Sequence, residues 1–244
     1  MKHPLRTLLL AVCCGLAAAC TQRQERLKLM SYNIRNGIGI DNIQDIGRIA
    51  RVILREAPDL VALQELDSAT LRVDGRYIPG ELGRMTGMHA TFGRAIGFAG
   101  GSYGIGLLSR TEPLAVRSIP LPGREEARVL LMAEFPDYTV CITHLSLTRE
   151  DRLRKPVLLA GDFNTGNAAA VLAGMGGGFR ILSDTTRMTF PSDNPAVRID
   201  YILGRGLPTS ATVAESAVDH TATASDHCPL WVTLVWKRGK QPGK

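Results

Sequence analysis

Eight apolar runs of strand length punctuate this chain: Leu27 to Ile34, Leu60 to Leu66, Ile105 to Ser109, Arg128 to Phe135, Tyr138 to Leu145, Pro156 to Ala160, Arg198 to Leu203 and Pro229 to Trp236. Several are continuous rather than alternating. A segment such as Leu60-Val61-Ala62-Leu63 or Val157-Leu158-Leu159-Ala160 leaves neither face of a strand polar, so both faces must be covered. One clear helix intervenes early, because Ile43, Ile46, Ile49, Ala50, Ile53 and Leu54 recur at helical spacing behind a cap-like Asp41, with Gln44 three places on. Pro58 ends it. A second helix is predicted over Ala168 to Ala173 and a shorter one near Glu81 to Met85. The class implied is α/β (α+β), with mixed strands covered on both faces.

With 244 residues, 45% of them apolar, the chain is long enough to bury one large core. No internal repeat or linker divides it, and a single domain is expected over residues 27–236. The first twenty residues stand apart. Lys2 and Arg6 precede an apolar run from Leu8 to Ala19 that is too short for a stable membrane span and reads as an export signal. Leu16-Ala17-Ala18-Ala19-Cys20 resembles the processing site of bacterial lipoproteins, which implies a lipid-modified Cys20 and a membrane anchor. The large aliphatic residue sits one place further from the cysteine than is usual, which leaves ordinary secretion as the alternative. The expectation is an exported protein, held in the cell envelope or secreted, with a short polar linker at 21–26 and a basic tail at 237–244.

The formal charge of +6 resides in the flanks. Lys2 and Arg6 lie in the export segment, and Lys237, Arg238, Lys240 and Lys244 lie in the tail, so the domain itself is near neutral. Charge therefore gives no support to a nucleic-acid partner. Of the five cysteines, only Cys141 and Cys228 fall within the domain, where buried thiols are expected; spacing leaves a disulfide between them open. The glycine-rich stretches Gly97 to Gly106 and Gly174 to Gly178 lack the Gly-Lys-Ser/Thr ending of a phosphate loop and read as hairpin or surface loop.

The informative pattern lies at the run ends. Asn33, Glu65, His144 and the pair Asp162 and Asn164 each close an apolar run, while Asp200 and the pair Asp226 and His227 each stand at or beside the start of one. If the last two strands run antiparallel to the others, all of these groups gather at one edge. Singly, each has a bland explanation as a solvated or turn-forming side chain; together they make coherent chemistry. Asn33, Glu65 and Asp226 offer the oxygen ligands that a hard cation, Mg2+ or Mn2+, requires. His227 held by Asp200 suits activation of a water, with Asp162 as the alternative proton acceptor. Asn164 and His144 would stabilise charge on the phosphoryl oxygens.

The motifs Ser-Tyr-Asn-Ile, Leu-Gln-Glu, Tyr-Gly-Ile-Gly-Leu-Leu-Ser, Thr-His-Leu, Gly-Asp-Phe-Asn, Arg-Ile-Asp-Tyr-Ile and Ser-Asp-His-Cys-Pro-Leu occur in that order. In order and spacing the chain resembles the endonuclease/exonuclease/phosphatase superfamily from about Leu27 to Trp236. The resemblance implies a four-layer α/β/β/α sandwich of two mixed sheets, and it carries the same roles onto Asn33, Glu65, His144, Asp162, Asn164, Asp200, Asp226 and His227. Tyr103 and Arg128 match more loosely, as phosphate-contacting positions. The function implied is metal-dependent hydrolysis of a phosphodiester or of a phosphorylated small molecule or lipid. A secreted endonuclease and a catalytically impaired, surface-anchored binding module are the alternatives. One departure stands out. Only Ser146 to Lys155 separates the Thr-His-Leu strand from the strand entering Gly-Asp-Phe-Asn, where relatives carry a crossover helix. That shortening predicts a sheet face without its usual cover.

Overall fold

A computed structural model describes residues 24–121, 127–144, 156–175 and 178–237. Cys20, the export segment, the 146–155 connection and the tail beyond Lys237 lie outside the described residues. The strands are β1 (Gln24–Asn33), β2 (Leu60–Ser68), β3 (His89–Phe98), β4 (Gly101–Ser109), β5 (Ala115–Leu121), β6 (Arg128–Glu134), β7 (Thr139–His144), β8 (Val157–Asp162), β9 (Phe179–Ile181), β10 (Asp200–Arg205), β11 (Thr212–Val218) and β12 (Leu230–Lys237). The helices are α1 (Ile46–Glu56), α2 (Ile78–Thr86) and α3 (Ala168–Met175).

Two six-stranded sheets result, ordered β11-β12-β1-β2-β4-β3 and β5-β6-β7-β8-β10-β9. Each has one parallel pair at its centre, β1 with β2 and β7 with β8, and is otherwise antiparallel. Leu29, Ala62, Leu107, Leu131, Ile142, Ala160, Ile202 and Val232 fill the space between the sheets. On the outer face of the first sheet, Met30, Val61 and Leu63 pack against Ile49 and Ile53 of α1 and Ile78 and Leu82 of α2. On the outer face of the second, Cys141, Leu159 and Leu203 pack with Val171 of α3. These are the four layers anticipated from the motifs.

Two expectations are corrected in detail, and one alternative is closed. Helix α1 starts four residues later than a cap at Asp41 implies: Asn42 takes a left-handed backbone (φ 58°), Asp41 accepts from the Ile43 N–H, and Asp45 becomes the N-cap, accepting from the Arg48 N–H at 3.3 Å. The outer face of the second sheet is not bare. Cys141 and Leu159 are fully buried, and Phe163 meets Tyr201 edge-on at 5.5 Å, so aromatic side chains share with α3 the work of covering it. Cys141 and Cys228 are free thiols, since Cys141 faces outward from the second sheet while Cys228 lies beside Tyr32 on the far side of the first.

The Gly97 to Gly106 stretch is indeed a hairpin, β3 turning into β4 through Ala99 and Gly100 (φ 42° and 79°). Its glycines permit close packing: a Cβ at Gly101 would sit 2.4 Å from the Ala69 carbonyl, and one at Gly104 would sit 2.0 Å from the Gly93 oxygen.

Candidate active site

Alternation along each strand decides which side chains enter the cleft between the sheets. Leu27 and Leu29 of β1 face the central core, which sends Ser31 and Asn33 the same way. The same parity carries Val140 and Ile142 to His144 on β7, Leu158 and Ala160 to Asp162 on β8, and Ile202 back to Asp200 on β10. At one end of the sandwich the inner face thus changes from apolar to polar, with Asn33, Asp162 and Asp200 almost wholly buried.

Glu65 breaks the parity. By strict alternation it would join Val61 and Leu63 under the helices, but the β2–β4 ladder shifts register between Leu63 and Leu66, and Glu65 takes φ 58°. This bulge turns the carboxylate back to the cleft, at a backbone cost of about 1 kcal/mol. There Glu65 Oε1 accepts from Asn33 Nδ2 at 3.0 Å.

Asn33 links the site. Its Nδ2 also donates to Asp162 Oδ2 at 3.3 Å and lies 3.4 Å from His227 Nε2. Its Oδ1 accepts from the Arg35 N–H at 3.0 Å, and its backbone carbonyl accepts from Ser225 Oγ at 2.7 Å. Two carboxylates on one side and a backbone donor on the other fix the amide orientation. Asp162 faces His144 across the parallel β7–β8 pair, Nε2 to Oδ2 3.4 Å, and faces Asp200 across the antiparallel β8–β10 pair. Its Oδ1 accepts from the Asn164 N–H at 2.8 Å. Arg128 Nη1 lies 3.1 Å from His144 Nδ1, and since a guanidinium can only donate, His144 carries its proton on Nε2, directed at Asp162.

His227 Nδ1 donates to Asp200 Oδ2 at 2.9 Å, its ring packs on Phe190 at 4.8 Å, and its Nε2 lies 3.8 Å from Asp162 Oδ2. Burial disfavours the imidazolium, but the Asp200 charge and hydrogen bond, helped by Asp162 and Asp226, overcome it and raise the His227 pKa to about 9. Burial raises the Asp200 carboxyl, with the His227 charge opposing it. Burial acts on Asp162 in the same sense, yet the His144 hydrogen bond, the charge of His227 and the Asn164 N–H hold that group below the usual carboxylate range.

The structure therefore brings together Asn33, Glu65, His144, Asp162, Asp200, His227 and Arg128. Asn164 joins through its backbone N–H, with its exposed side chain at the mouth (φ 50°). Asp226 joins through its neighbours: Ser225 Oγ reaches its Oδ1 at 3.4 Å, and Arg35 Nε lies 3.4 Å from its Oδ2. Tyr103 lies on the cleft-facing side of β4, two residues from Ile105. Arg35 and Ser225 were not singled out from sequence as site residues, although Arg35 directly follows the Ser-Tyr-Asn-Ile motif and Ser225 opens Ser-Asp-His. Thr189 was also missed; its Oγ1 accepts from the backbone of Ile199 and Asp200 and fixes the start of β10.

Among the described residues, Asp162, Asp200 and His227 are the group whose potential metal-ligand atoms all fall within 4.8 Å of one another. His227 Nδ1 is committed to Asp200, so this trio is better suited to holding an imidazole between carboxylates than to caging an ion. Glu65 and Asp226 are only half-buried and flank Asn33, whose Oδ1 keeps a second lone pair. That all-oxygen set fits a hard divalent cation.

A sequence model of the Endonuclease/Exonuclease/phosphatase family matches residues 30–227. No curated protein sequence matches the chain. Among solved structures, an endonuclease/exonuclease/phosphatase family protein from Bacteroides thetaiotaomicron superposes with a TM-score of 0.68 at 18% identity, covering 89% of this chain and 97% of that one. A mannosyl-6-phosphatase from the same organism gives 0.67 at 18%, covering 86% and 100%. A humanized D. rerio TDP2 gives 0.63 at 22%, covering 86% and 98%. At these identities the structural likenesses speak for the fold. With the family match spanning every motif from Ser-Tyr-Asn-Ile to Ser-Asp-His, the chain belongs to the endonuclease/exonuclease/phosphatase family.

Proposed function

We propose that the protein hydrolyses a phosphoester with an activated water and a divalent cation, Mg2+ or Mn2+, held by Asn33, Glu65 and Asp226. The observation that carries the reading is the connected chain Glu65–Asn33–Asp162–His144, joined through Asn33 to His227–Asp200, at the open end of the two sheets. When bound, the cation supplies neutralisation of phosphoryl charge. Asp162 collects N–H donors from Asn33, Asn164 and His144, which stabilise its charge and weaken it as a base. It is suited to orienting the water. His227, with Nδ1–H held by Asp200, is the stronger base; it takes the water's proton on Nε2 in its neutral form, which is populated increasingly as pH rises towards 9. Arg128, fixed by its contact with His144 Nδ1, supplies guanidinium N–H donors for the developing charge on the phosphoryl oxygens, and His144 holds Arg128 and Asp162 in register.

The substrate class we favour is a phosphodiester or a phosphorylated small molecule or lipid met outside the cytoplasm. Lys2, Arg6 and the Leu8 to Ala19 run support export, and Cys20 supports a lipid anchor. The test is hydrolysis of a chromogenic phosphodiester with Mg2+ or Mn2+, alongside EDTA, Glu65→Gln and His227→Ala. Each treatment is expected to lower turnover by at least about 100-fold. Wild-type activity indifferent to all three would overturn the assignment; a folded, inactive wild type would favour a binding module.

A further inference from the structure

Beside Glu65 the fold builds a second feature that hydrolysis of a bare phosphoester does not require. The loop after β2 returns Arg72 to Asp67, which is fully buried. Arg72 Nε and Nη2 donate to the two Asp67 oxygens at 2.6 and 2.8 Å, and Thr70 Oγ1 adds a third donor at 2.7 Å. The Leu71 N–H donates to the Ala99 carbonyl at 2.8 Å, tying the loop to the β3–β4 hairpin. The guanidinium then sits 4.5 Å from the Phe98 ring centroid and 5.3 Å from that of Tyr103. Asp67 pairs directly with Tyr103 across β2 and β4, two residues beyond Glu65 and on the cleft-facing side, and the Glu65 charge acts on Arg72.

This guanidinium is locked in plane by a bidentate carboxylate and by two rings, yet the Arg72 side chain remains 40% exposed, as does Phe98. A flat cation and an aromatic edge therefore stand side by side in solvent on the cleft-facing side of the sheet. Asp67 neutralises the charge locally, which diminishes the value of the group as an anion trap. Its planarity is untouched. Planar rings stack on aromatic faces and on fixed guanidinium planes alike.

We propose that Arg72, Phe98 and Tyr103 form a stacking platform that selects phosphoesters bearing a planar, nucleobase-like ring within a few bonds of the scissile phosphorus. The proposal rests on the phosphoesterase reading of the adjacent site. It calls for one ring, not a nucleic-acid strand, and so agrees with the near-neutral domain.

The experiment compares the methyl ester of thymidine 5′-phosphate with the methyl ester of 1-O-methyl-2-deoxyribose 5-phosphate, which lacks the base. Hydrolysis is followed by 31P NMR, and binding of thymidine 5′-phosphate and of 2-deoxyribose 5-phosphate by calorimetry. Wild type is expected to prefer the base-bearing member of each pair by roughly ten- to a hundredfold. Phe98→Leu keeps apolar area without a ring, and Arg72→Lys keeps charge without a plane. Both are expected to lose the preference while handling the base-free ester at the wild-type rate. Equal binding of the two ligands by wild type, or a preference retained in both variants, overturns the platform. Loss in Arg72→Ala that Arg72→Lys restores assigns the site to an anion instead, and also overturns it. Base-selective binding without hydrolysis of either ester sinks the catalytic reading and leaves the platform standing; hydrolysis of both esters with equal binding does the reverse.

Discussion

Substituting Gly161 by alanine tests whether the separation of β7 and β8 sets catalytic alignment. Gly161 pairs with Thr143 one step before His144 pairs with Asp162. A Cβ at Gly161 would stand 2.1 Å from the Thr143 carbonyl oxygen, whereas closest approaches of this kind end near 3.0 Å. The obstacle is backbone, so the strands must part by about 1 Å, and no rotamer change relieves them. The His144 Nε2 to Asp162 Oδ2 contact already stands at 3.4 Å, and the same displacement carries it out of hydrogen-bonding range. Overpacking of this sort costs about 1–3 kcal/mol, and a 1 Å error in a catalytic constellation costs about 100-fold in turnover. Gly87 supplies the control. It caps α2 with φ 68° and open space where its Cβ would be, so Gly87→Ala loses about 1 kcal/mol of stability far from the chemistry. The assays are kcat on the chromogenic diester and urea unfolding. Gly161→Ala is expected to lose both turnover and stability, Gly87→Ala stability alone. Wild-type kcat in a folded Gly161→Ala protein would refute the reasoning.

Further outcomes follow from the bulge and from the buried imidazole. Glu65→Gly removes a side chain from a left-handed backbone position, so in metal-free buffer it is expected to raise the urea midpoint by the equivalent of about 1 kcal/mol while abolishing turnover; a lower midpoint would show that the bulge carries no strain. His227 has a folded pKa of about 9 against an ordinary 6.5, so its charged form contributes stability that is fully present below pH 6.5 and is lost as pH rises through 9. The stability difference between wild type and His227→Gln should therefore shrink by as much as about 3 kcal/mol between pH 6.5 and 9.5, and a difference independent of pH would contradict the Asp200 pairing. Addition of Mn2+ should raise the melting temperature of wild type but not of Glu65→Gln, and an equal rise in both would place the ion elsewhere.

The apolar runs identified all eight interior strands and none of the four edges. Strands β3, β5, β9 and β11 bound the two sheets, and their residues are largely exposed or half-buried, as in the run of exposed positions from Val116 to Pro120. A strand covered on both faces has a continuous apolar signature, whereas an edge strand is specified by pairing with a neighbour that sequence periodicity does not reveal. The start of α1 was misplaced for a related reason. Asp41 has the right chemistry for a cap, but the left-handed Asn42 beside it forms a separate turn and passes the capping role to Asp45.

The site divides along the same line. Where parity runs unbroken, as from Ile142 to His144 or from Ala160 to Asp162, the inner-face position of a candidate site residue follows from the apolar residues behind it. Glu65 does not follow: periodicity places it under the helices, and only the bulge at Leu63 to Leu66 brings it to Asn33. The Leu-Gln-Glu motif located it because a motif preserves the outcome of a local distortion without describing its geometry. Arg72, Phe98 and Tyr103 belong to no such motif. These residues are brought together by a buried carboxylate and a hairpin tip, not by spacing along the chain. The candidate site residues are thus legible in short motifs, whereas the proposed ring-selecting surface arises from loop contacts that no motif records, which is why the ring-selectivity experiment bears on function more directly than the motifs do.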